Sequence, residues 1–413
     1  MSTLIHGARC ALGPEETVRA DIEVGAGQII RIMHESAPAK TTASGCASID
    51  LSGFLLMPGL INAHDHLHFS LFPRLANPPY KNYIEWGEDI HRAFPGVIAL
   101  HKTVPRDVRL WWGGIRNLLS GVTTVCHHDP LWPELRRGDF PVRVLQRYGW
   151  AHSPALGGDL HATRANKPAG SPFILHACEG VDETARLELW QLDRLGLLDG
   201  DTLLVHALAL EPEGADLLRE RKASIILCPS SNHFLFNRMP DVLLLSSIDN
   251  LALGNDSPLT AIGDLLDEAR FANQICNLSP GSVYRMVTTG PAAMLRLSNA
   301  EGSITESGAA DFIAVHDTGS QPADRLQTLS TADVEFVMIR GSVQLASANM
   351  LERLPQSAKE GLEPLLINGT VRWLRAPVSR LLAQAEEVLG QGNIRLGSKT
   401  VGVSEGAAVS YAS

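Results

Sequence analysis

Long apolar runs and long basic runs are both missing from this 413-residue sequence, and we expect no secretory leader. No apolar stretch approaches the ~20 residues that a membrane-spanning helix needs, and the first residues show no basic segment followed by an apolar one. The 35 basic and 45 acidic side chains give a formal charge of −10, which disfavours a nucleic-acid or anionic-membrane surface. We therefore expect a cytoplasmic protein that binds neither nucleic acid nor membrane.

Cysteine is scarce as well. The sequence has six cysteines, which lie far apart and form no Cys-x-x-Cys pair: Cys10, Cys46, Cys126, Cys178, Cys228 and Cys276. This spacing favours free thiols in a reducing compartment over a disulfide framework or a cysteine zinc site. With 45% hydrophobic and 19% charged residues the composition is that of a globular protein, and the length favours one large domain and one small one.

The chain divides into three parts by its hydrophobic pattern. Residues 1–57 and 301–413 consist of short apolar-alternating segments separated by glycine and proline, and we expect these strands to pair as one small β-sandwich domain. Residues 58–300 alternate strands with helical stretches, which is typical of a parallel sheet whose chemistry lies at the carboxyl ends of its strands. The proline- and asparagine-rich segment 72–105 is predicted to be a loop that covers this edge.

The clearest chemical signal is a set of histidines that follows an apolar strand. The segment 54–61 leads into His64, His66 and His68, at alternate positions. In an extended segment, side chains two residues apart point the same way, so His64 and His66 are predicted to project together. Neutral imidazoles are good ligands for zinc and similar metals. This pattern favours a metal site over the alternative, in which the histidines cap a strand by bonding to backbone carbonyls.

Three later apolar strands also end in a polar side chain, at His176, His206 and Asp256. Any one of these residues has an ordinary explanation as a strand cap. Together with the first histidine pair, however, they make a sufficient ligand set of imidazoles and one carboxylate for a single divalent metal. The repeated arrangement at successive strand ends therefore predicts a metal centre.

The motifs PGLINAHDH, HACE, LVHALAL, CPSSN and GNDS, in this order, resemble those of the cytosine/guanine deaminase and chlorohydrolase branch of the amidohydrolase superfamily. The resemblance implies an α/β fold with a (β/α)8 TIM-type barrel over residues 58–300. One barrel unit is expected to be abbreviated, because residues 129–171 lack a full helix. The resemblance also implies one zinc or iron ion, held by His64, His66, His176 and Asp256.

The same resemblance implies the catalytic residues. HACE matches the HxxE element of that branch, so Glu179 would be the proton shuttle, and His206 would lie beside the bound water or the departing group, or serve as an additional ligand. A bound metal lowers the pKa of water towards ~7, Glu179 is placed to protonate a substrate ring nitrogen, and Asp256 is placed to accept a proton from the water. The alternative role for Glu179 is an acid in the first turn of a helix, which the helix dipole favours.

We therefore predict a metal-dependent hydrolase that deaminates a small nitrogen heterocycle. Hydrolysis of a cyclic amide and displacement of a halide are alternatives at the same site, and a non-catalytic scaffold is less favoured because no ligand is missing. Arg74, His128, His152 and His233 are predicted to contact the small-molecule substrate. A second metal held by His127, His128 and His152 is a further alternative. We also expect a homodimer, because the dimer is the commonest arrangement of soluble oligomers.

Overall fold

The structure is a computed structural model that describes residues 2–34 and 47–402. Cys46 and the last part of the predicted β domain, residues 403–413, lie outside the described residues. The other five cysteines are buried free thiols, as the spacing predicts. The α/β fold class is also confirmed, since helices and parallel strands alternate through the middle of the chain.

The N-terminal part of the chain forms six strands. Their bounds are Ser2–His6 (β1), Arg9–Ala11 (β2), Thr17–Gly25 (β3), Gln28–His34 (β4), Ala47–Asp50 (β5) and Phe54–Pro58 (β6). In β3, the buried residues Ala20, Ile22 and Val24 alternate with more exposed ones, which is the period of two expected of a strand with one covered face. These strands therefore form from local alternation, as the sequence predicts.

Eight strands of the middle part pair in parallel. Their bounds are Leu60–Asp65 (β7), Val122–His127 (β8), Arg143–Val144 (β9), Gly149–Ala151 (β10), Phe173–Ala177 (β11), Thr202–His206 (β12), Ser224–Leu227 (β13) and Leu251–Leu253 (β14). They are bonded in the order β7-β8-β9 and β10-β11-β12-β13-β14. The Asp256 N–H donates to the His64 carbonyl over 3.2 Å, which brings the chain after β14 to the end of β7. The carboxyl ends of the strands therefore meet at one edge.

Eleven helices occur among the described residues up to Met294. Their bounds are Tyr83–Ala93 (α1), Pro95–Thr103 (α2), Arg106–Leu119 (α3), Leu160–Ala165 (α4), Glu183–Arg194 (α5), Pro212–Arg221 (α6), Pro229–Phe236 (α7), Val242–Leu245 (α8), Leu265–Gln274 (α9), Pro280–Met286 (α10) and Thr289–Met294 (α11). Only four residues, 145–148, separate β9 from β10. The abbreviated connection expected within residues 129–171 is therefore present, since that range contains one α-helix, α4, of 6 residues and one 3-10 helix, Pro133–Arg136.

The segment 72–105 differs from the predicted loop, because it contains α1 and α2. The Asn82 side chain accepts hydrogen bonds from the N–H groups of Ile84 and Glu85, so it caps α1 and satisfies donors that would otherwise lack a partner. Pro95 opens α2, where its fixed φ suits the first turn. Both helices begin at residues that also favour turns, which explains why composition alone predicted a loop.

The C-terminal part returns to strands and adds four short helices. The strands are Phe312–His316 (β15), Val334–Ile339 (β16), Ser342–Ser347 (β17), Glu363–Ile367 (β18), Thr370–Leu374 (β19), Arg395–Leu396 (β20) and Lys399–Gly402 (β21), and the helices are Pro322–Leu326 (α12), Ala348–Arg353 (α13), Gln356–Lys359 (α14) and Val378–Leu389 (α15). In the part of the chain that the structure describes, no helix has the length and apolar character to cross a membrane.

Strands from both chain ends share one sheet. β6 pairs with β2 and, on its other side, with β15, so the N-terminal and C-terminal strands join in a single thirteen-stranded sheet among the described residues. The sequence predicted a sandwich, and the continuous pairing through β6 makes the hydrogen-bonded arrangement one sheet instead of two. The large side chains Phe54, Phe312 and Phe336 are fully buried in the core of this sheet.

A buried ion pair links β7 to α3 beneath the strand ends. The Arg116 guanidinium donates to Asp65 Oδ1 over 2.6 Å, and the two side chains are 3% and 0% exposed. Burial raises the pKa of Asp65, while the charge of Arg116 opposes that rise. Asn117 also donates to Asp65 Oδ2, over 2.7 Å. Because the carboxylate has no access to water, its stability depends on these partners.

Removal of this guanidinium is expected to destabilise the fold. Arg116→Met leaves Asp65 buried and uncompensated, so we expect a loss of about 3–5 kcal/mol in the free energy of unfolding. Urea unfolding followed by circular dichroism measures it. The control is Arg137→Met, which breaks an exposed Arg137–Asp139 pair and should leave the unfolding midpoint unchanged. Equal unfolding midpoints for the two variants would show that the buried ion pair contributes no more to stability than the exposed one.

Candidate metal centre

Four of the residues that end strands converge on one point. The Nε2 atom of His176 lies 3.3 Å from Nε2 of His64 and 3.4 Å from Nε2 of His66. Asp256 Oδ1 lies 3.6 Å from Nε2 of His64 and 3.7 Å from Nε2 of His66. The first pair comes from the end of β7, His176 from β11 and Asp256 from the chain after β14. The structure therefore brings together the four residues proposed as ligands from the sequence.

The donor atoms of this cluster suit a divalent metal. The other ring nitrogens of His66 and His176 already have acceptors: His66 Nδ1 bonds to Asp129 Oδ2 over 2.8 Å, and His176 Nδ1 bonds to the His152 carbonyl over 2.6 Å. With the proton held at Nδ1, each Nε2 presents its lone pair to the cluster. Three imidazole nitrogens and one carboxylate oxygen form a ligand set that zinc and iron accept.

The charge states agree with this arrangement. Burial lowers the pKa of His64 to about 4, although Asp256 opposes the effect, and burial lowers the pKa of His176 well below its usual value. Burial alone would raise the pKa of Asp256, but the hydrogen bond to His64 and the neighbouring imidazoles hold it well below its usual value. Burial also lowers the pKa of His66, but the hydrogen bond to Asp129 and the neighbouring carboxylates outweigh it and raise that pKa. His64 and His176 are thus favoured as neutral imidazoles beside an ionised carboxylate, which is the form that binds cations.

Three outer contacts orient two of the ligands, Asp256 and His66. Asp256 Oδ2 accepts hydrogen bonds from the Ser231 hydroxyl over 2.8 Å and from the Thr260 hydroxyl over 3.0 Å, so Oδ1 is left for the centre. Asp129 orients His66, as described above. Carboxylates that accept from the second nitrogen of a ligating histidine fix its ring and raise its basicity. Asp129 was not assigned a role from the sequence, and its available signal was its position at the end of β8.

Glu179 and His206 lie together beside the cluster. His206 Nε2 is 3.6 Å from Glu179 Oε2, and His206 Nδ1 bonds to Asn232 Oδ1 over 2.9 Å. Burial raises the pKa of Glu179 well above its usual value, and the charges of Asp256 and Glu188 add to the rise. The shift favours the protonated form of Glu179, which is the form that a proton donor requires. Asn232 ends the CPSSN motif and is a second residue to which the sequence assigned no role.

A cavity of about 470 Å³ opens onto these groups. Its wall includes His66, His176, Glu179, His206 and Asp256 on the side of the metal centre. The opposite wall is largely apolar and comes mainly from the α1–α2 segment and the turn before it, with Phe69, Phe72, Leu75, Ile84, Trp86, Ile90, Ile98, Leu156 and Leu259 among its side chains. Such a pocket, apolar with a few convergent polar groups, is typical of a small-molecule site.

Of the four predicted substrate contacts, only His152 lines this cavity. Arg74 lies in a different groove with His233, because its guanidinium donates to the Ala261 carbonyl over 2.9 Å and stacks on the Phe234 ring. His233 is exposed on α7, whereas its neighbour Asn232 turns towards His206. The structure places both residues away from the cavity, and single residues on a loop and a helix carry no sequence signal of which way they face.

His128 is also not at the cavity wall. Its ring is fully buried, 4.3 Å from the ring of His176 and 4.9 Å from that of His64, and Nε2 bonds to the Ala151 carbonyl over 3.0 Å. It therefore packs behind the metal centre. Among the described residues, the alternative set of His127, His128 and His152 does not bring its ligand atoms close enough together to share a metal ion. The ligand atom of His127 instead lies within 4.8 Å of those of His68 and Asp129.

The helix α7, which carries Asn232, is held by a buried carboxyl group with a displaced pKa. Glu268 accepts from the Ser230 N–H over 2.7 Å and from the Ser230 hydroxyl over 2.5 Å. Burial raises the pKa of Glu268 to about 7, the charges of Asp256 and Asp267 add to the rise, and the Ser230 bonds oppose it. Glu268 therefore changes charge near neutral pH in the folded protein.

This carboxyl group predicts a pH dependence of stability. In the folded protein Glu268 keeps its proton up to about pH 7, whereas the unfolded chain releases it at its ordinary pKa, so its contribution to stability is lost as pH rises across that interval. Glu268→Gln has no such proton to lose. As pH rises from 4.5 to 8, the free energy of unfolding of the variant should increase by about 3 kcal/mol relative to that of the native protein. This value follows from the pKa difference of Glu268 between the folded and unfolded states, at about 1.36 kcal/mol per pKa unit.

Urea unfolding of the metal-free proteins at pH 5, 6, 7 and 8 measures this difference. Glu213→Gln, at an exposed position of α6, is the matched control and should differ from the native protein by the same amount at every pH. A difference between Glu268→Gln and the native protein that stays constant across the series would contradict the assignment.

Comparisons with known proteins agree with the site. The model of the amidohydrolase family matches residues 157–344. A curated relative, the 5-methylthioadenosine/S-adenosylhomocysteine deaminase of Haloarcula marismortui, is 33% identical over 411 aligned positions, which cover 83% of this chain and 93% of the relative. This degree of identity over most of both chains indicates common descent of the whole molecule.

Two solved structures share the fold. An adenosine deaminase from Xanthomonas campestris with bound zinc has a TM-score of 0.63 and 20% identity, and the match covers 93% of this chain and 97% of that one. A variant of the atrazine chlorohydrolase of Arthrobacter aurescens, complexed with zinc and atraton, has a TM-score of 0.69 and 17% identity, with 94% and 99% covered. At these identities the likeness establishes the architecture.

Proposed function

The chain belongs to the amidohydrolase superfamily and is a metal-dependent hydrolase of C–N bonds, and we propose that it deaminates a small aminated nitrogen heterocycle. The proposed ligands of its metal are His64, His66, His176 and Asp256, with zinc as the first choice and iron as the second. We also propose that β7–β14 form a closed (β/α)8 barrel, supported by the contact between His64 and Asp256.

One observation carries the reaction type. A buried carboxylic acid, Glu179, lines the cavity 3.6 Å from His206 and shares the cavity wall with three of the four proposed ligands, His66, His176 and Asp256. Deamination needs such a neutral acid, because the ring nitrogen of an amidine-like group must receive a proton as its carbon becomes tetrahedral. A metal ion bound here would supply a nucleophilic water at neutral pH.

Glu179 and Asp256 carry out different proton transfers in the proposed reaction. Glu179 donates its proton to the ring nitrogen as the water oxygen bonds to the carbon. Asp256 accepts a proton from the water and delivers it to the amino group, which leaves as ammonia when the C–N bond breaks. The second water proton returns to Glu179, so the oxygen of water replaces the amino group and the acid is regenerated. The ring of His206 is held by Asn232 and positions the attacking water oxygen beside Glu179.

The apolar wall of the cavity excludes bulk water. Rings such as Phe69, Phe72 and Trp86 face the polar wall and are suited to pack on the faces of a planar heterocycle. Removing water also strengthens the interaction of Glu179 with the ring nitrogen, because the local dielectric falls. Binding of a planar, uncharged heterocycle is therefore the natural use of this pocket.

Product analysis tests the proposal. Metal-replete protein is incubated with a panel of aminated heterocycles that includes adenosine, 5-methylthioadenosine and S-adenosylhomocysteine, with chlorinated triazines and with cyclic amides. We expect ammonia release from at least one aminated heterocycle and a faster rate than chloride release or ring opening. Chloride release or ring opening alone would replace deamination by one of those reactions, and no turnover of any compound would favour a non-catalytic scaffold.

A further inference from the structure

A second cluster of potential metal ligands lies next to the first. His68, His127 and Asp129 each offer one ligand atom, and the three atoms lie within 4.8 Å of one another. His68 comes from the turn after β7, and the other two come from the end of β8. None of the three lines the substrate cavity, so the cluster is separate from the site where the reaction is proposed.

Two imidazole nitrogens of this cluster lack a partner. His68 Nδ1 is buried and has no hydrogen bond among the described residues, and it lies 3.6 Å from Asp129 Oδ2. His127 is fully buried, and its Nε2 likewise has no hydrogen bond in the part of the chain that is described. Buried polar groups without partners are rare, and an unlocated ion is one of the explanations for them.

The two ring nitrogens of His127 have different surroundings. Nδ1 accepts a hydrogen bond from the Leu67 N–H over 3.3 Å, so in the neutral ring the proton is on Nε2. Nε2 is buried and has no hydrogen-bond partner among the described residues. A cation bound at Nε2 would displace that proton, as ligation by histidine requires, and would supply the missing partner.

We propose that His68, His127 and Asp129 bind a second divalent cation, with the Asp129 carboxylate shared between this ion and the Nδ1–H of His66. Two imidazoles and a carboxylate favour zinc, cobalt or nickel over magnesium or calcium. A cationic side chain, Arg109, donates to the His68 carbonyl over 2.9 Å and opposes a cation there. With three protein ligands instead of four, the second site should bind more weakly than the first.

The shared carboxylate couples the two sites. Asp129 Oδ2 holds the ring of His66 at 2.8 Å, so a cation on Asp129 competes for the electron density that makes His66 a good ligand. Loading of the second site should therefore change the affinity of the first, and the reverse effect should have equal size. This inference concerns metal binding alone and does not depend on which reaction the protein catalyses.

Metal titration of the full chain tests it. Chelator-treated native protein is titrated with Co²⁺, followed by calorimetry and by the visible spectrum of the bound ion, and the bound metal is counted by elemental analysis. We expect two ions per chain in two phases. The double variant His68→Asn/His127→Asn should bind one, and His161→Asn, at an exposed position of α4, should bind two.

Several results would overturn the inference. One is saturation of the native protein at a single ion, and another is a second ion that persists in the double variant. If the double variant does not fold, His68→Asn alone is decisive, because this histidine is partly exposed and its loss should weaken only the second phase by at least about 10-fold. His176→Asn should lose the tight phase and keep the weak one, which separates failure of this site from failure of the proposed catalytic centre.

Discussion

Replacing Glu179 with glutamine is expected to leave the metal content unchanged and to lower turnover by about 10²–10⁴-fold. Glutamine has nearly the shape of the acid but has no carboxylic proton to give to a substrate ring nitrogen. Glu179 is buried in the cavity wall, and burial raises its pKa well above the usual value. The effect should therefore fall on kcat, because the proton is needed as the carbon becomes tetrahedral.

The measurements are steady-state kinetics on a substrate from the panel and metal analysis of the same samples. Glu183→Gln is the matched control, since this residue is exposed at the start of α5, and it should retain native kinetics. Near-native turnover of Glu179→Gln would remove Glu179 from the mechanism. A loss of metal in that variant would instead make it a ligand.

Replacing His176 with asparagine is expected to remove one ion per chain and to lower turnover by at least about four orders of magnitude. His176 Nε2 lies within 3.4 Å of both β7 ligand atoms, His64 Nε2 and His66 Nε2, so its loss opens the centre on one side. Without the ion the pKa of water returns from about 7 to its far higher bulk value, and little nucleophile forms at neutral pH.

Elemental analysis and activity after metal addition measure this second effect. The control is His316→Asn, at an exposed position at the end of β15, which should keep both the metal and the activity. A His176→Asn protein with native metal content and native turnover would show that His176 is not a ligand. Recovery of activity at high metal concentration would instead support a weakened centre.

The site was largely predictable because its residues stand at strand ends. His64 and His66, His176, His206 and Asp256 each follow an apolar run, and parallel strands place their carboxyl ends at one edge. Periodicity and strand order therefore predict which of these side chains meet. The backbone is left-handed at His206 (φ 74°) and at Asp256 (φ 53°). The sequence does not predict this conformation, because histidine and aspartate do not favour a left-handed φ as strongly as glycine does.

Residues that act through others were harder to predict. Asp129 and Asn232 hold His66 and His206 through hydrogen bonds, and such contacts depend on tertiary positions that one sequence does not encode locally. Arg74 and His233, which the structure places away from the cavity, illustrate the opposite problem. Both carry suitable chemistry, but the packing of Arg74 on Phe234 and the exposed face of α7 place them in another groove.

The architecture was predicted in outline and not in detail. Alternation of strands and helices indicated the parallel strands, and apolar alternation indicated the β-rich ends. The helices α1 and α2 were hidden by the turn-forming residues that begin them, Asn82 and Pro95. The domain bounds at residues 57 and 301, the dimer and the cytoplasmic location stay predictions.

Anomalous diffraction from a crystal of zinc-loaded protein, recorded on both sides of the zinc absorption edge, tests the central claim most directly. We expect a strong peak at about 2.0–2.2 Å from Nε2 of His64, His66 and His176 and from Oδ1 of Asp256. A crystal in which Asp256 lies far from the two β7 histidines, with no anomalous peak between them, would contradict it.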